Sequence, residues 1–438
     1  MKLGVVSLGC DKATVDSERL VGELVGHGAT VTPDLPHADV VLVNTCGFID
    51  AAKRESIQAM LEAAQLKRTG AVKAVVAVGC LVQRYHRELQ EEIPEVDLFL
   101  GFSDLHLLVP ELARRGLIAD PVARHPGVRQ FLGDSAHIRY LKISEGCDHT
   151  CAFCAIPLMR GKHRSEPLER LVREAQALEA QGAKEINLVA QDLGHYGRGL
   201  GAGGPKLPDL LEVLLRETSV PWWRLLYVYS AGLSERLVEL IAREPRIVPY
   251  LDMPIQHAND DVLTRMRRPE RQASLRTKLG WLRAAIPDLA IRSTCLVGFP
   301  GETDHAFREL VAFLEEAQFD RLGAFAYSPQ EGTRAVQYPD DVPDEVKRER
   351  LEELLEVQRA ISAERLARFV GREVPVLVDR VADPLDGGAT HVGRVAWQAD
   401  DVDGVTYLGR GGWAEVGSFV HARLTDSEDY DFRAVALA

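Results

Sequence analysis

Apolar runs of strand length alternate with amphipathic segments along the first 115 residues. The runs are rich in valine and leucine, as buried parallel strands are, and the segments between them have the apolar spacing of helices. The predicted strands are 2–8, 38–44, 72–78 and 96–100, and the predicted helices are 15–26, 48–66, 81–91 and 104–114. This alternation of strand and helix predicts a doubly wound parallel sheet.

The alternation resumes after residue 137 and continues through six βα units. The predicted strands are 138–144, 185–190, 224–229, 249–253, 290–297 and 321–327. The predicted helices are 166–181, 208–216, 234–243, 260–266, 274–285, 304–317 and 344–369. Six such units predict a partial (β/α)6 parallel barrel, whose active site is expected at the carboxyl ends of the strands.

The pattern changes again after residue 370. Four short runs at 374–379, 388–397, 405–407 and 419–424 are separated by glycine and aspartate turns, which predicts a small antiparallel β-barrel. Segment 116–137 contains glycine and proline with weak periodicity and is typical of a linker. The expected organisation is an α/β chain with an N-terminal domain at 1–115, the linker, a central barrel at 138–369 and a C-terminal barrel at 370–438.

Composition limits the compartment and the partners. The chain has 438 residues, a net charge of −13 and seven cysteines. No apolar run approaches the ~20 residues of a membrane span, and the short apolar start does not predict a signal peptide. An odd number of cysteines in such a chain favours a reducing cytoplasm. The negative charge gives no global attraction to nucleic acid, but it does not exclude a local basic groove.

The C-terminal barrel is especially acidic. From residue 371 onward the sequence has six arginines, no lysine and twelve acidic residues. Small barrels that bind nucleic acid have basic faces. This barrel is therefore expected to repel a phosphate backbone and to attract a basic partner.

Three cysteines share a short loop after the first strand of the central barrel. Cys147, Cys151 and Cys154 have the spacing C-x3-C-x2-C. Thiolates suit zinc and iron–sulfur clusters. A zinc site closed by cysteine alone needs a fourth thiolate, which is not nearby, and His149 lies inside the loop, where it is poorly placed to join. A cubane cluster can use three thiolates and leave one iron open, so we interpret this loop as the catalytic centre.

Three further cysteines are far apart in sequence but follow equivalent strands. Cys10, Cys46 and Cys80 come directly after the first, second and third predicted strands. Strand carboxyl ends lie along one edge of such a sheet, where ligands bind. One cysteine beside an apolar strand is more often a small buried residue. Three at equivalent ends favour a second three-thiolate cluster site.

Several other residues of the central barrel are candidates for binding or structural roles. Polar or glycine-containing segments at 191–192, 229–230, 254–257 and 298–302 would surround the mouth of the central barrel. His257 is either an acid–base group or a hydrogen-bonded positioning residue. The glycine-rich segment 199–204 is predicted to be a loop, and Cys295 to be structural. The segment Arg160–Arg164, which includes His163, either contacts an acidic substrate or is solvated.

The cysteine loop, with Phe153 before its last cysteine, resembles the signature of radical S-adenosylmethionine enzymes. The upstream cysteines and the terminal barrel make nearly the whole chain similar to the methylthiotransferase family, which combines a cluster domain, a radical-SAM barrel and a TRAM barrel. Segments 8–12, 144–149 and 253–258 are similar to the branch that modifies ribosomal protein S12. Asp11 and Ala13-Thr14 depart from that branch, which usually has Pro and Asn-Leu there.

The resemblance implies two 4Fe-4S clusters and S-adenosyl-L-methionine as cofactors. One cluster would generate a 5′-deoxyadenosyl radical, and the other would present sulfur for a methylthio group added to the β-carbon of an S12 aspartate. Phe153, Gln191, Gly298 and Glu302 would line the cofactor pocket. A monomer that receives electrons from a flavodoxin or ferredoxin type of donor is also expected.

Two alternatives compete with this hypothesis. A tRNA methylthiotransferase acting on a modified adenosine would share both cluster sites, but the acidic terminal barrel disfavours it. A non-enzymatic iron–sulfur sensor or electron carrier belongs to a different class of protein. It would have no need of a barrel with polar groups around its mouth.

Overall fold

The computed structural model describes residues 1–70, 72–118, 129–133, 135–201 and 203–437. The chain divides into two compact units. The first comprises Met1–Asp134, Glu145–Asp148 and Ala155–Arg164, and the second comprises Ser135–Ser144, His149–Cys154 and Ser165–Ala438. Positions 119–128 and 134 of the predicted linker lie outside the described residues, and the four-part division of the chain stays a prediction.

The first unit contains the predicted doubly wound parallel sheet. Its strands are β1 Lys2–Ser7, β2 Thr30–Val31, β3 Val40–Thr45, β4 Ala74–Gly79 and β5 Leu98–Leu100, in the order β2-β1-β3-β4-β5. Its first helices are α1 Asp11–Gly26, α2 Asp50–Thr69, α3 Cys80–Glu92 and α4 Leu108–Arg114. All pairs are parallel, and every residue of β3 and β4 is buried, as the apolar runs predict.

The central strands form the predicted partial barrel. They are β6 Ile138–Lys142, β9 Glu185–Val189, β10 Trp222–Leu225, β11 Ile247–Asp252, β12 Ala290–Val297 and β13 Arg321–Ala326. They are parallel, lie side by side in chain order and do not close into a ring. Two short strands, β7 Ser144–Glu145 and β8 Arg164–Ser165, flank the cysteine loop and the segment after it.

Eight helices accompany these strands among the described residues. They are α5 Ile156–Arg160, α6 Leu168–Ala180, α7 Leu207–Glu217, α8 Glu235–Arg243, α9 Asp260–Arg265, α10 Gln272–Ala285, α11 Asp304–Ala317 and α12 Asp344–Ala367. The sequence pattern missed α5, which has only five residues and contains Pro157. It also extended one strand too far, because Tyr227 has a φ of 65° and the chain leaves the sheet after Leu225.

Alternate side chains of the central strands face two different environments. Leu188, Trp223 and Leu251 belong to the large apolar core beside the helices. Residues of opposite parity, such as Trp222 and Tyr250, pack with apolar residues of the C-terminal barrel. The period of two in β-strands produces this division.

The C-terminal strands form a closed five-stranded barrel. They are β14 Glu373–Val381, β15 His391–Arg394, β16 Thr406–Gly409, β17 Phe419–Ser427 and β18 Phe432–Ala436, in the order β14-β15-β16-β18-β17. The barrel was predicted, but β18 was not, and the β16–β18 pair is parallel where an antiparallel barrel was expected. No described helix of the chain combines the length and the apolar character needed to cross a membrane.

A buried ionic network joins the C-terminal barrel to the central strands. Glu185 of β9 accepts hydrogen bonds from Arg224 Nε and Arg394 Nη1, both at 2.7 Å. Arg394 also donates to Asp379, which contacts His137 Nε2 at 3.0 Å. Burial alone would raise the pKa of Glu185, but the two arginine charges hold it below its usual value. The carboxylate therefore stays ionised inside the protein.

Candidate active site

The first unit brings Cys10, Cys46 and Cys80 together at the carboxyl edge of its sheet; we call them the N-terminal trio. A Cβ atom on Gly9, which precedes Cys10, would lie 3.4 Å from Cys46 Sγ. A Cβ atom on Gly47, which follows Cys46, would lie 3.2 Å from the carbonyl carbon of Cys80. The three cysteine loops thus contact one another through positions where glycine leaves room.

Local hydrogen bonds hold these loops at the sheet edge. The amide of Cys46 donates to Ser56 Oγ at 2.8 Å, and that hydroxyl donates to the Cys46 carbonyl at 3.0 Å. Asn44, the register partner of Ser7 at the end of β1, donates to the carbonyl of Ala13 at 2.8 Å. The start of α1 is therefore tied to β3, beside Cys46.

The spacing of the trio fits a cluster better than a single tetrahedral ion. Among the described residues, one group of metal-ligating side chains has its ligand atoms all within 4.8 Å, and it is not the trio. A tetrahedral zinc ion, with zinc–sulfur distances of about 2.3 Å, would hold its thiolates about 3.8 Å apart. In an iron–sulfur cluster each thiolate binds a different iron, so the sulfurs stand farther apart. Three thiols with glycine space around them fit such a group.

The first half of the C-x3-C-x2-C loop is held by the chain that returns after it. Cys147 is buried, and its amide donates to the carbonyl of Gly161 at 3.1 Å. Gly146 has a φ of 72°, and a Cβ atom there would lie 2.2 Å from the carbonyl oxygen of Lys162. Only glycine fits this turn, because a side chain would meet backbone.

The second half of the loop lies against the central barrel. Ala152 donates to the carbonyl of Met266 at 2.9 Å and accepts from the amide of Ala335 at 2.8 Å. The ring of Phe153 meets Phe299 edge to face, with centroids 6.3 Å apart. Arg268 Nη1 lies 3.8 Å from Cys151 Sγ, within hydrogen-bonding range for sulfur. The sequence reasoning missed Arg268, since only the fold brings it to this loop.

His149 is engaged by a carboxylate. Its Nε2 atom lies 2.7 Å from Asp192 Oδ2, and its ring stacks on Tyr229 at 4.2 Å between centroids. Burial would raise the pKa of Asp192, but the hydrogen bond from His149 and the charge of His195 lower it. His149, Asp192 and His195 are the group whose ligand atoms have the spacing of a metal site. The Nε2 atom of His149, however, is already hydrogen-bonded to Asp192. The arrangement favours a positioning role in which Asp192 orients the loop through His149.

Two amides at the end of β9 are buried without hydrogen-bond partners. Both side-chain atoms of Asn187 and both of Gln191 lack a partner, and Asn187 is 1% exposed. Asn187 lies within β9, and Gln191 lies two positions after the last residue of that strand, Val189. Buried polar groups in native proteins are almost always hydrogen-bonded. A polar cofactor would supply the missing partners, and Asn187 was not predicted.

Gly298, Glu302 and His257 form one buried assembly. Glu302 accepts from Arg350 Nη1 at 2.8 Å and from the amide of Gly298 at 2.9 Å. His257 is 0% exposed, its Nδ1 accepts from the amide of Asn259, and its Nε2 lies 3.4 Å from Glu302. His257 Nε2 is buried without a hydrogen-bond partner, so both interpretations of His257, acid–base group and positioning residue, stay predictions. Direct contact of Gly298 or Glu302 with a cofactor stays a prediction.

The other flagged residues are explained by their surroundings. Cys295 is fully buried within β12, and burial raises the pKa of its thiol, which agrees with a structural role. Gly199, Gly201 and Gly203 have positive φ angles in an open loop, and Ala202 lies outside the described residues. Arg160 is buried rather than solvated.

Three family models match the chain in succession. The Uncharacterized protein family UPF0004 matches residues 2–101, the Radical SAM superfamily matches 141–314, and the TRAM domain matches 370–437. The matches fall on the parallel sheet with the N-terminal trio, on the central barrel with the cysteine loop, and on the closed barrel. The fold and the matches together define a radical-SAM protein with an added N-terminal cysteine domain and a TRAM barrel.

Curated relatives narrow this class. A protein from Desulforudis audaxviator named ribosomal protein uS12 methylthiotransferase RimO is 46% identical, with 100% of this chain and 97% of the relative covered. A protein of the same name from Anaeromyxobacter is 45% identical over 97% of this chain and 91% of its own. The chain belongs to the RimO family of ribosomal protein uS12 methylthiotransferases.

Solved structures agree at the level of the fold. The radical S-adenosylmethionine methyltransferase TsrM from Kitasatospora setae is 14% identical, with a TM-score of 0.56 over 74% of each chain. The cobalamin-dependent enzyme OxsB is 11% identical, with a TM-score of 0.52 over 82% of this chain and 56% of its own.

Proposed function

We propose that this chain transfers a methylthio group to the β-carbon of an aspartate in ribosomal protein uS12. The observation that carries the proposal is the 46% identity, over the whole chain, to a relative with that named substrate. Two separate sets of three cysteines agree with it, because one centre would generate a radical and another would deliver sulfur.

Two 4Fe-4S clusters and S-adenosyl-L-methionine are the cofactors that this function requires. Cys147, Cys151 and Cys154 would hold one cluster, and the N-terminal trio would hold the other. When bound, these groups supply the radical chemistry needed to functionalise an unactivated carbon. The protein supplies binding, orientation and electrostatics.

The residues of the central barrel have distinct tasks in this proposal. Arg268 donates to Cys151 and fixes the position of the loop, while Asp192 does the same through His149. Asn187 and Gln191 are the amides available for polar groups of S-adenosylmethionine. The buried Glu302–Arg350 pair holds the turn at Gly298 in place. Fixed positions at the site lower the cost of orienting the substrate.

The acidic C-terminal barrel supports a basic protein as partner. Its twelve acidic residues outnumber its six arginines, and Arg394 is already committed to Glu185. A surface with this balance attracts basic ribosomal proteins and repels the phosphates of tRNA. A reducing cytoplasm, which the odd number of cysteines favours, is the compartment that belongs to this proposal. A flavodoxin or ferredoxin type of electron donor and a monomeric state complete the proposal.

The direct test incubates reconstituted enzyme with uS12 or with tRNA, together with reductant, sulfide and S-adenosylmethionine. We expect mass spectrometry to find a methylthio group on one aspartate of uS12 and none on tRNA. Modification of tRNA alone would overturn the choice of substrate. Absence of 5′-deoxyadenosine under reducing conditions would favour a non-enzymatic carrier.

Single-cysteine variants separate the two centres in the same assay. Cys147→Ala is expected to abolish 5′-deoxyadenosine formation. Cys46→Ala is expected to retain cleavage of S-adenosylmethionine but to lose methylthiolation. Cys295→Ala provides the matched control and is expected to retain both reactions, because Cys295 is packed inside β12.

A further inference from the structure

Arg160 is a buried cation next to the N-terminal trio. It ends α5, and its side chain is 2% exposed. The neighbouring Met159 belongs to the same small apolar cluster as Cys80, the first residue of α3. The short helix after the radical-SAM loop therefore contributes an arginine to the environment of a different cysteine set.

Two carboxylates and one aromatic ring orient the Arg160 guanidinium. Nη1 donates to Asp16 Oδ2 at 2.9 Å and to Glu145 Oε1 at 3.0 Å. The guanidinium carbon lies 4.6 Å from the centre of the Phe102 ring. The other terminal nitrogen, Nη2, is buried and meets no acceptor at full hydrogen-bond geometry, and the Cys80 thiol is close enough to the guanidinium to interact with it. A buried N–H group without an acceptor costs free energy. Nη2 is therefore placed to donate a hydrogen bond to a sulfur atom of the group that the N-terminal trio would hold.

The charge of Arg160 acts on the trio. The guanidinium is close enough to the Cys80 and Cys46 side chains to act on both electrostatically, and Cys80 is the nearer partner because its thiol also lies within reach of a hydrogen bond from Arg160. The carboxylates of Asp16 and Glu145 pair with the buried guanidinium and stabilise its positive charge. The arginine therefore keeps its charge beside the sulfurs.

We infer that Arg160 is a positioning residue that donates Nη2 to the sulfur centre held by the N-terminal trio and stabilises its reduced state. The inference rests on the proposed function, because it needs the trio to hold an iron–sulfur cluster. Reduction by one electron adds negative charge, and hydrogen bonds to cluster sulfurs together with local charge set the potential. Asp16 and Glu145 oppose the effect, since they compensate the arginine charge.

The reduction potential of the N-terminal cluster tests this role without reference to turnover. The experiment uses the full-length chain in which Cys147, Cys151 and Cys154 are replaced by alanine. Only the N-terminal cluster then contributes to a redox titration followed by EPR. Arg160→Gln removes the charge and retains a polar side chain. We expect the ratio of reduced to oxidised cluster at a fixed potential to fall about tenfold, equivalent to about 59 mV for a one-electron couple.

Neutralising a carboxylate gives the opposite prediction. Asp16→Asn and Glu145→Gln leave the arginine charge less compensated, so each should raise the potential. Arg160→Lys should fall between wild type and Arg160→Gln, because an ammonium retains the charge without the planar fork. Arg164→Gln is the matched control: Arg164 is exposed on the same returning segment, and its loss should leave the potential unchanged.

The outcomes are distinct. An unchanged potential in an Arg160→Gln protein that keeps about four irons would overturn the inference. A shift in the same direction for Arg160→Gln and Asp16→Asn would show a merely structural effect and would also overturn it. If the Arg160→Gln protein loses its iron, the Asp16→Asn variant decides the question. A raised potential in that variant would support the inference, and an unchanged or lowered potential would overturn it. A background protein without iron would refute the second cluster itself, whereas failure of the uS12 assay with the expected shifts would refute the substrate alone.

Discussion

Arg268 Nη1 lies 3.8 Å from Cys151 Sγ. The rest of the guanidinium is fixed, because Nη2 donates to the carbonyl of Pro254 and pairs with Glu270 at 3.1 Å. The charged group also lies 4.1 Å from the centre of the Tyr229 ring, which stacks on the His149 imidazole. A buried arginine is thus directed at one of the sulfurs expected to hold the radical-generating cluster.

Arg268→Lys tests whether this contact matters for the chemistry. Lysine keeps the charge beside Glu270 but cannot contact Cys151, Pro254 and Glu270 with one planar fork. We expect full iron loading and an initial rate of 5′-deoxyadenosine formation reduced roughly tenfold. The exposed neighbour Arg267→Lys is the control and should keep the wild-type rate. Equal rates in the two variants would contradict a role for Arg268.

The Arg394 network predicts a large loss of stability on truncation. Arg394→Ala leaves Glu185 and Asp379 short of a buried cation, which should lower the free energy of unfolding by about 3–5 kcal/mol. Arg423→Ala, in the exposed pair with Glu373 on the same barrel, should change it by less than about 1 kcal/mol. Urea denaturation measures both. Similar losses in the two variants would show that the buried network contributes no more to the free energy of unfolding than an exposed ion pair does.

Asp400 predicts an unusual pH dependence. Burial raises its pKa to about 6, although the charge of Arg394 opposes the shift. The folded state therefore binds this proton more tightly than the unfolded state. Its stabilising contribution is present below pH ~4 and is lost as pH rises through about 6.

Asp400→Asn should remove this pH dependence. The free energy of unfolding at pH 7.5 is expected to rise by about 1–3 kcal/mol, and the gain should shrink at pH 5, where the native aspartate is largely protonated. The exposed Asp426→Asn in the same barrel should show no such gain. An equal gain at both pH values would show that charge burial is not its cause.

Cys295 is expected to be chemically silent. It is 0% exposed, and burial raises the pKa of its thiol, so the thiolate that reacts with alkylating agents is scarce. Peptide mapping after brief treatment of the native apoprotein with iodoacetamide should find the exposed Cys10 modified and Cys295 unmodified. Rapid modification of Cys295 would contradict its assignment as a packing residue.

The sequence predicted the features that depend on periodicity. The convergence of Cys10, Cys46 and Cys80 follows from parallel strands, whose carboxyl ends share an edge. The sequence did not predict contacts between residues that are far apart along the chain. Arg160 follows the radical-SAM loop in sequence yet lies beside Cys80, and Arg268 approaches Cys151 from 117 positions away.

Three further differences between the predictions and the structure have separate causes. The left-handed conformation of Tyr227 ends β10 early, and no hydrophobic pattern signals a positive φ at a tyrosine. Strand β18 was missed because its five residues follow an acidic turn and pair partly in parallel with β16. The sequence showed Asp192 only as a polar residue near a strand end. Its contact with His149, which indicates a positioning role, is visible only in the structure.

Iron and acid-labile sulfide analysis tests the central claim, that one chain holds two separate three-cysteine centres. The samples are anaerobically reconstituted wild type, the Cys147/Cys151/Cys154 triple-alanine variant and the Cys10/Cys46/Cys80 triple-alanine variant. We predict about eight irons per chain in the wild type and about four in each variant. Zinc in place of iron, or a triple variant that keeps the full wild-type iron content, would contradict the account.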